Sequence, residues 1–479
     1  MAERRFVGID LGIATAHTAV VLDDAGRVLA RRRCVPTVES LAEVERAAVA
    51  NAGEDVRLEV VLEPTGPAWL PLAVFFGRRG HAVHRVSSAK AADLRRFLSR
   101  HAKSNAIDAE TLARLPLVDP GGLRPVELPG RDRASLDRRV RACDRLTRQA
   151  AKHKARIRDL LRQLMPMSPL GKTLGRADLA VLERAADPNV LLRLGRARLT
   201  ALIRRASHGH QGAERAEAWL AAARASIELY AGDSAVAFAD LAEEVATEVR
   251  LLRATEAELA RHAAVREARY RRVDPEELAR SVPGLAEVGA PLVVAAVGRA
   301  HRFGSAAAFR SFTGLAPRAS ETGETDRKGQ AMSKAGPSRL RAQLLRSAET
   351  ARILDPQLAA IYHAQMTERG ATHLKALCVV AANLAERTWI VLARGTPYVV
   401  RDTDGTPVTR AEARAIVAER YTVPEEVRRR RRGKKVGKVP HQALMGRVQV
   451  SAQGTTTRRP SPSPIVDQPA GVVKAAAGG

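Results

Sequence analysis

Residues 4–12 read RRFVGIDLG, and residues 57–66 read RLEVVLEPTG. Each is a short apolar run that ends in a carboxylate and a turn: Asp10 before Leu11-Gly12, and Glu63 before Pro64-Thr65-Gly66. Short apolar runs closed by Gly and Pro mark buried strands. A carboxylate directly after Val-Val-Leu is a poor choice for a core, so Glu63 belongs where the strand stops. If the two strands are neighbours in one sheet, Asp10 and Glu63 face each other at the strand ends.

The flanking sequence supplies the rest of such a sheet. Thr18 to Leu22 and Arg27 to Arg32 follow as strands, separated by the turn Asp23-Asp24-Ala25-Gly26. A helix is expected from about Ser40 to Ala50, a strand over Leu58 to Leu62, a helix to about Arg79 and a strand over His81 to Val86. A meander followed by alternating strands and helices predicts a mixed α/β sheet with helices on its faces. The segment HAKSNAIDAETLARL, residues 101–115, then opens a helix on which Asn105 and Asp108 share a face. Glu110 points about 200° away from Asp108 around that helix.

Beyond this region the chain turns helical. Leu136, Val140, Cys143, Ala150, Ile157, Leu161 and Leu164 form one heptad-compatible stripe. Phe238, Leu241, Val245, Val249, Leu252 and Leu259 form a second. Two such helices are expected to pair as an antiparallel coiled-coil arm, or with another subunit. A helical insert at about 176–230 lies between them. Its His208 and His210 are read as a solvated loop, since no third ligand is near. Leu278 to Val297 resembles a helix-hairpin-helix, which would aim backbone N–H groups at a phosphate, or it is a helical hairpin packed on its neighbours. Residues 309–341 form a polar loop between apolar helices, with charge from Arg318, Arg327, Lys328, Lys334, Arg339 and Arg341. Ser333 there suits a helix-terminal phosphate contact or cap. The expected organisation is an α/β domain over 1–120, an arm with its insert over 121–274, a helical domain over 275–398, and a basic, largely disordered tail over 399–479.

The 479 residues carry 79 Lys and Arg against 52 Asp and Glu, a formal charge of +27. Such a surface attracts polyanions, foremost phosphate backbones. A GC-rich genome would also raise the Arg content. The run Arg428 to Arg432 with Lys434, Lys435 and Lys438 extends this character, although like-charge runs are also common in solvated tails. Aromatics are 3% of the chain, too few for stacking-based RNA recognition. Cys34, Cys143 and Cys378 are far apart, which argues against disulfides or structural zinc and fits a reducing bacterial cytoplasm. No signal peptide and no long apolar span is read, so no membrane partner is expected.

Asp10, Glu63 and Asp108 together have the layout of an RNase-H-like site. Several carboxylates are needed there because Mg²⁺ takes oxygen ligands, and two such ions serve both the attacking and the leaving oxygen of phosphodiester transfer. FVGIDLG also matches the phosphate segment of actin-like sugar kinases, but no second phosphate loop or adenosine motif follows. A plain junction nuclease would not need residues 275–397.

GID near the start, LEPTG at residue 63 and the KSNAIDA segment near 105 together resemble the DEDD transposases of the IS-one-ten group of insertion sequences, over roughly residues 5–397. The resemblance implies a RuvC-like domain, Mg²⁺ dependence, donor and target double-stranded DNA, and recombination guided by an element-encoded RNA. By position, Asp10, Glu63 and Asp108 match three of the four acidic residues. Asn105 stands at the remaining one, where an amide oxygen can ligate Mg²⁺ but brings no charge. The family's nucleophilic hydroxyl falls on Thr322, with Ser320 as the alternative. Because the acidic residues and the hydroxyl lie in different parts of the chain, they must meet across a domain or subunit interface, as in a homodimer or dimer of dimers. The expected function is a transposase that cleaves and rejoins DNA. The alternative is a catalytically impaired nucleic-acid-binding relic, motivated by Asn105 and Thr322.

Overall fold

The computed structural model describes residues 3–53, 55–63, 66–98, 104–231, 236–318, 321–322, 325–326 and 330–431. Strands β1 (Arg4–Asp10), β2 (His17–Leu22) and β3 (Val28–Cys34) form an antiparallel meander. Helix α1 (Val38–Val49) leads to β4 (Arg57–Leu62), which lies parallel to β1. Helix α2 (Trp69–Arg78) leads to β5 (Ala82–Arg85), parallel to β4. The sheet order is β3-β2-β1-β4-β5, a mixed sheet that fits an RNase-H-like α/β domain. Helices α3 (Ser88–Leu98) and α4 (Asn105–Val118) follow.

Side-chain alternation divides the sheet into two faces. Val7, Ile9, Leu58, Val60 and Leu62 pack on one face with Leu41 and Val44 of α1 and Leu72 and Phe76 of α2. On the other face, Phe6, Val20 and Leu22 meet Ala109 and Ala113 of α4, and Val61 meets Leu94 of α3 and Leu112 of α4. Central strands covered on both sides read as continuous apolar runs, which is why β1 and β4 stood out in the sequence. Helix α4 lies so close to β1 that a Cβ on Gly8 would sit 2.0 Å from the Ala109 carbonyl oxygen. Only glycine permits that approach.

Helices α5 (Arg131–Leu164) and α9 (Phe238–Val273) run side by side. Their cross-links show the direction. Asp132 meets Arg269, Arg139 meets His262, His153 meets Glu248 and Arg156 meets Glu244, so one helix rises as the other falls. Every residue of the first predicted stripe is buried, and Val245, Val249 and Leu252 of the second are buried too. At one end the pair carries α6 (Arg176–Ala185), α7 (Pro188–Ala206, kinked at Gly195) and α8 (Ala213–Leu229). There Asp178, almost fully buried, accepts from Arg215 at 2.7 Å and from the Trp219 indole at 3.2 Å. His208 and His210 are exposed in the loop before α8.

At its other end the pair is built into a helical body, where Leu136, Val140 and Tyr270 join one core. That body contains α10 (Leu278–Ser281), α11 (Gly289–Val297), α12 (Ala306–Thr313), the short strands β6 (Glu321–Thr322) and β7 (Thr325–Asp326), α13 (Ser338–Leu354), α14 (Pro356–Thr367) and α15 (His373–Arg394). The α10–α11 turn packs inward: a Cβ on Gly284 would meet the Ser347 carbonyl oxygen of α13 at 2.2 Å.

Helix α15 is, by length and composition alone, apolar enough to cross a membrane, with a mean hydropathy of 1.5. It is also the helix against which α12, α13 and α14 pack. The tail expected to be largely disordered over 399–479 starts with ordered structure. Val408 N–H bonds to Val400, α16 (Arg410–Arg420) has a capping box from Thr409 and Glu412, and α17 (Glu425–Arg431) follows. Val423 enters the core, and fully buried Asp355 accepts from the Tyr398 hydroxyl at 2.6 Å and the Leu358 N–H at 2.9 Å. The later part of the tail, with Arg432, Lys434, Lys435 and Lys438, lies outside the described residues.

Candidate active site

The site is set by register. Ile9 pairs with Leu62 across the parallel β1–β4 ladder, so Asp10 and Glu63 are the next residues at the same ends of neighbouring strands. Adjacent strands stand about 4.8 Å apart. Alternation continues the face of Phe6 and Gly8 to Asp10, and the face of Val61 to Glu63. Both carboxylates therefore belong to the α3–α4 side of the sheet.

Helix α4 begins on that side. Ser104 caps it, accepting from the Ile107 N–H at 3.2 Å, so Asn105 is the first helical residue and Asp108 lies in the first turn. Asp108 does not stand alone. Arg95 of α3 donates to it at 3.1 Å, with both side chains mostly covered. Nothing in the spacing along the chain singles out Arg95 among the arginines of α3. Glu110 is directed elsewhere, to Arg31 and Arg114 at 2.9 Å each. Burial opposes its ionisation, but the two guanidiniums outweigh that and hold its carboxyl below the usual range.

Asp10 and Glu63 are hard oxygen donors one strand spacing apart, which suits a divalent cation. Asp108, held by Arg95, does not join them in this arrangement. Among the described residues no three His, Cys, Asp or Glu side chains form a metal-holding group. The thiols are poor ligands as placed, with burial pushing Cys34 up to about 11 and raising Cys143 and Cys378.

The polar loop of the helical body stands beside the same sheet. Arg85, Val86 and Ser87, at the exit of β5, line a cleft of about 610 Å³ with Ser311, Phe312, Ala335, Gly336 and Pro337. The loop's two ends are locked together. A Cβ on Gly336 would overlap the Phe312 carbonyl oxygen at 1.7 Å, and the Ser333 N–H donates to Ala316 at 2.8 Å. Ser333 is thus part of the loop's pairing and does not cap α13, whose N-cap is Pro337. Thr322 pairs with Thr325 in the β6–β7 ladder, at the tip of this loop. Ser320, Arg327 and Lys328 lie outside the described residues.

The remaining predicted cations differ in what they do. Arg341 donates to the carbonyls of Gly336 and Thr313 at 3.2 and 3.4 Å, bracing the loop from inside. Arg339 pairs with Asp144 of α5 at 2.9 Å, tying the loop's exit to the helix pair. Arg318 and Lys334 remain on the surface.

A family model described as transposase, of the DEDD type, matches residues 7–166, and one described as the transposase IS116/IS110/IS902 family matches residues 276–363. An uncharacterized 43.6 kDa protein of insertion element IS110 from Streptomyces coelicolor is 28% identical over 407 residues, covering 83% of this chain and 96% of that protein. The first match spans the acidic strand ends and α4, and the second spans the hydroxyl-bearing loop. The chain belongs to the IS116/IS110/IS902 family of transposases.

Proposed function

We propose that this transposase cleaves and rejoins DNA strands with a site built from both halves of the chain. The observation that carries the reading is the placement of Asp10 and Glu63 at neighbouring strand ends, on the face where α4 starts. The cleft between β5 and the polar loop supports a meeting of the two halves. In this reading residues 1–120 form the RuvC-like domain, 121–274 the coiled-coil arm and insert, and 275–398 the hydroxyl-bearing domain.

Asp10 and Glu63 would hold Mg²⁺, with Asp108 and the Asn105 amide completing the set once Arg95 gives way. The bound ion supplies charge neutralisation at the scissile phosphate and favours the deprotonated hydroxyl. The Thr322 or Ser320 oxygen forms a bond to phosphorus as the bond to the leaving strand oxygen breaks. The hydroxyl proton passes to solvent, and the leaving oxygen takes one up. A second DNA end then displaces the protein oxygen, which restores the hydroxyl. Arg341 contributes by keeping the loop closed. Guidance by an element-encoded RNA and assembly as a dimer or pair of dimers belong to the same proposal, supported by family membership and the +27 charge.

The test is strand cleavage by Glu63→Ala against the parent protein on element-end duplex with Mg²⁺. Removal of a metal-holding carboxylate is expected to abolish cleavage; retained cleavage overturns the site. A second reading, an impaired nucleic-acid-binding relic, draws on the Arg95–Asp108 pair and on Asn105. A covalent protein–DNA adduct that vanishes in Thr322→Ala or Ser320→Ala rejects the relic; absence of any adduct from the parent favours it.

A further inference from the structure

A second basic feature lies away from the acidic strand ends, where the α/β unit, the helix pair and the helical body meet. The chain leaves the sheet as an added edge: Pro125 bridges His84, and the Val126 N–H donates to the Val83 carbonyl at 2.6 Å. Leu128 still packs on the sheet's core, and α5 begins three residues later. A cavity of about 500 Å³ opens at this junction, between that segment, the end of α9 and the turn after α11.

Its charge is one-sided. Arg131, Arg133, Arg272, Arg299 and Arg302 line it, against the carboxylates of Glu127 and Asp132 alone. Arg299 takes Glu127 at 3.1 Å, while Asp132 is shared by Arg269 and Arg272 at 3.5 and 3.9 Å. Among the described residues no carboxylate pairs with Arg131, Arg133 or Arg302. The Nη1 of Arg133 is buried without a hydrogen-bond partner among them. Burial lowers the pKa of Arg133 and Arg302; Arg299 adds to this at Arg133, while the charges of Asp274 and Glu127 act against it at Arg133 and Arg302 respectively. Clustered guanidiniums, with their planar forks, match phosphate oxygens.

The cavity also adjoins the cleft at the exit of β5. Arg302 lies over the Phe312 ring at 4.7 Å, and Phe312 lines that cleft beside Arg85. Cavity and cleft thus flank one seam.

We propose that this arginine cavity is a phosphate clamp for a nucleic-acid backbone entering along the seam, with Arg131, Arg133 and Arg302 as its donors. The ligand class is a phosphodiester. The assignment rests on the transposase reading for the identity of the polyanion. A backbone held here would touch all three parts of the chain at once, so binding would fix their relative arrangement.

The experiment measures binding of a labelled duplex of arbitrary sequence at several KCl concentrations. Arg131→Gln/Arg302→Gln alters two exposed residues and should leave the fold intact; Arg133→Gln is made separately, with thermal unfolding recorded for both. Arg193→Gln/Arg198→Gln, exposed on α7, is the control for net charge. The expected result is a salt slope that falls by about 0.9 for each phosphate that the cavity variants no longer neutralise, and unchanged slopes in the control. Equal slopes in cavity and control variants overturn the clamp. If inorganic phosphate at matched ionic strength raises the melting temperature of the parent but not of the cavity variants, and duplex slopes stay equal, the cavity takes free phosphate and the backbone assignment fails. Strand cleavage is scored in parallel. A reduced slope with no cleavage by the parent keeps the clamp and removes the chemistry; normal cleavage with unchanged slopes does the reverse.

Discussion

Arg95 holds Asp108 at 3.1 Å, and in the proposed site a cation would compete with it for that carboxylate. Both side chains are largely covered, so the pair is not a loosely screened surface contact. Arg95→Ala should free Asp108 and tighten Mn²⁺ or Mg²⁺ binding in calorimetric titration; unchanged or weaker binding would mean that Arg95 positions the carboxylate. Two buried histidines add a pH response. Burial lowers the pKa of both His17 and His84, and for His84 this outweighs the pull of Glu59 at 3.7 Å. A histidine depressed in the folded state binds its proton first in the unfolded chain. Stability is therefore full above about pH 6.5 and declines as pH falls from there toward the folded values. Urea unfolding at about pH 7.5 and 5.5 checks this. The parent should lose stability on acidification, and His84→Gln should lose less.

At the scale of elements, the packing of α4 on β1 governs the site. Gly8 lets the helix backbone settle on the strand, and this brings the first turn of α4 to the carboxylate face. Gly8→Ala should cost about 3 kcal/mol in denaturant unfolding. It should also lower Mg²⁺-dependent cleavage under conditions where the variant is still folded, because α4 must move outward. An alanine with parent-like stability would contradict the packing. The long helix pair does a different job. Its buried stripes bind α5 to α9, and its base shares a core with the helical body. The heptad spacing in the sequence already carried the pairing stripes. It could not say that Leu136, Val140 and Tyr270 would serve two neighbours at once.

For the whole molecule, the net charge of +27 sets the strength of polyanion binding, and its distribution sets the place. Residues through Arg431 are integrated by Val423 and by the Asp355–Tyr398 hydrogen bond. Truncation after Arg431 should therefore leave the melting temperature unchanged within about 2 °C. It should reduce non-specific duplex affinity and flatten its salt dependence, since Arg432, Lys434, Lys435 and Lys438 are removed. A large loss of thermal stability would show that the later residues also pack on the body.

The sequence by itself determined the strands, the turns that end them and the carboxylates at their ends. These are local matters: apolar runs, Gly and Pro after them, and carboxylates where a core has no use for charge. It also determined the two heptad stripes, because a helix repeats its faces every few residues. Tertiary structure alone decided what those local facts amount to. Register made Asp10 and Glu63 neighbours, and the absence of a side chain at Gly8 brought α4 over them. Packing of α3 against α4 put Arg95 on Asp108, one arginine among many in the sequence. The junction at residues 125–133 gathered guanidiniums that are up to about 170 residues apart in the chain. Such distant pairings depend on which surfaces bury each other, and no spacing along the chain encodes them.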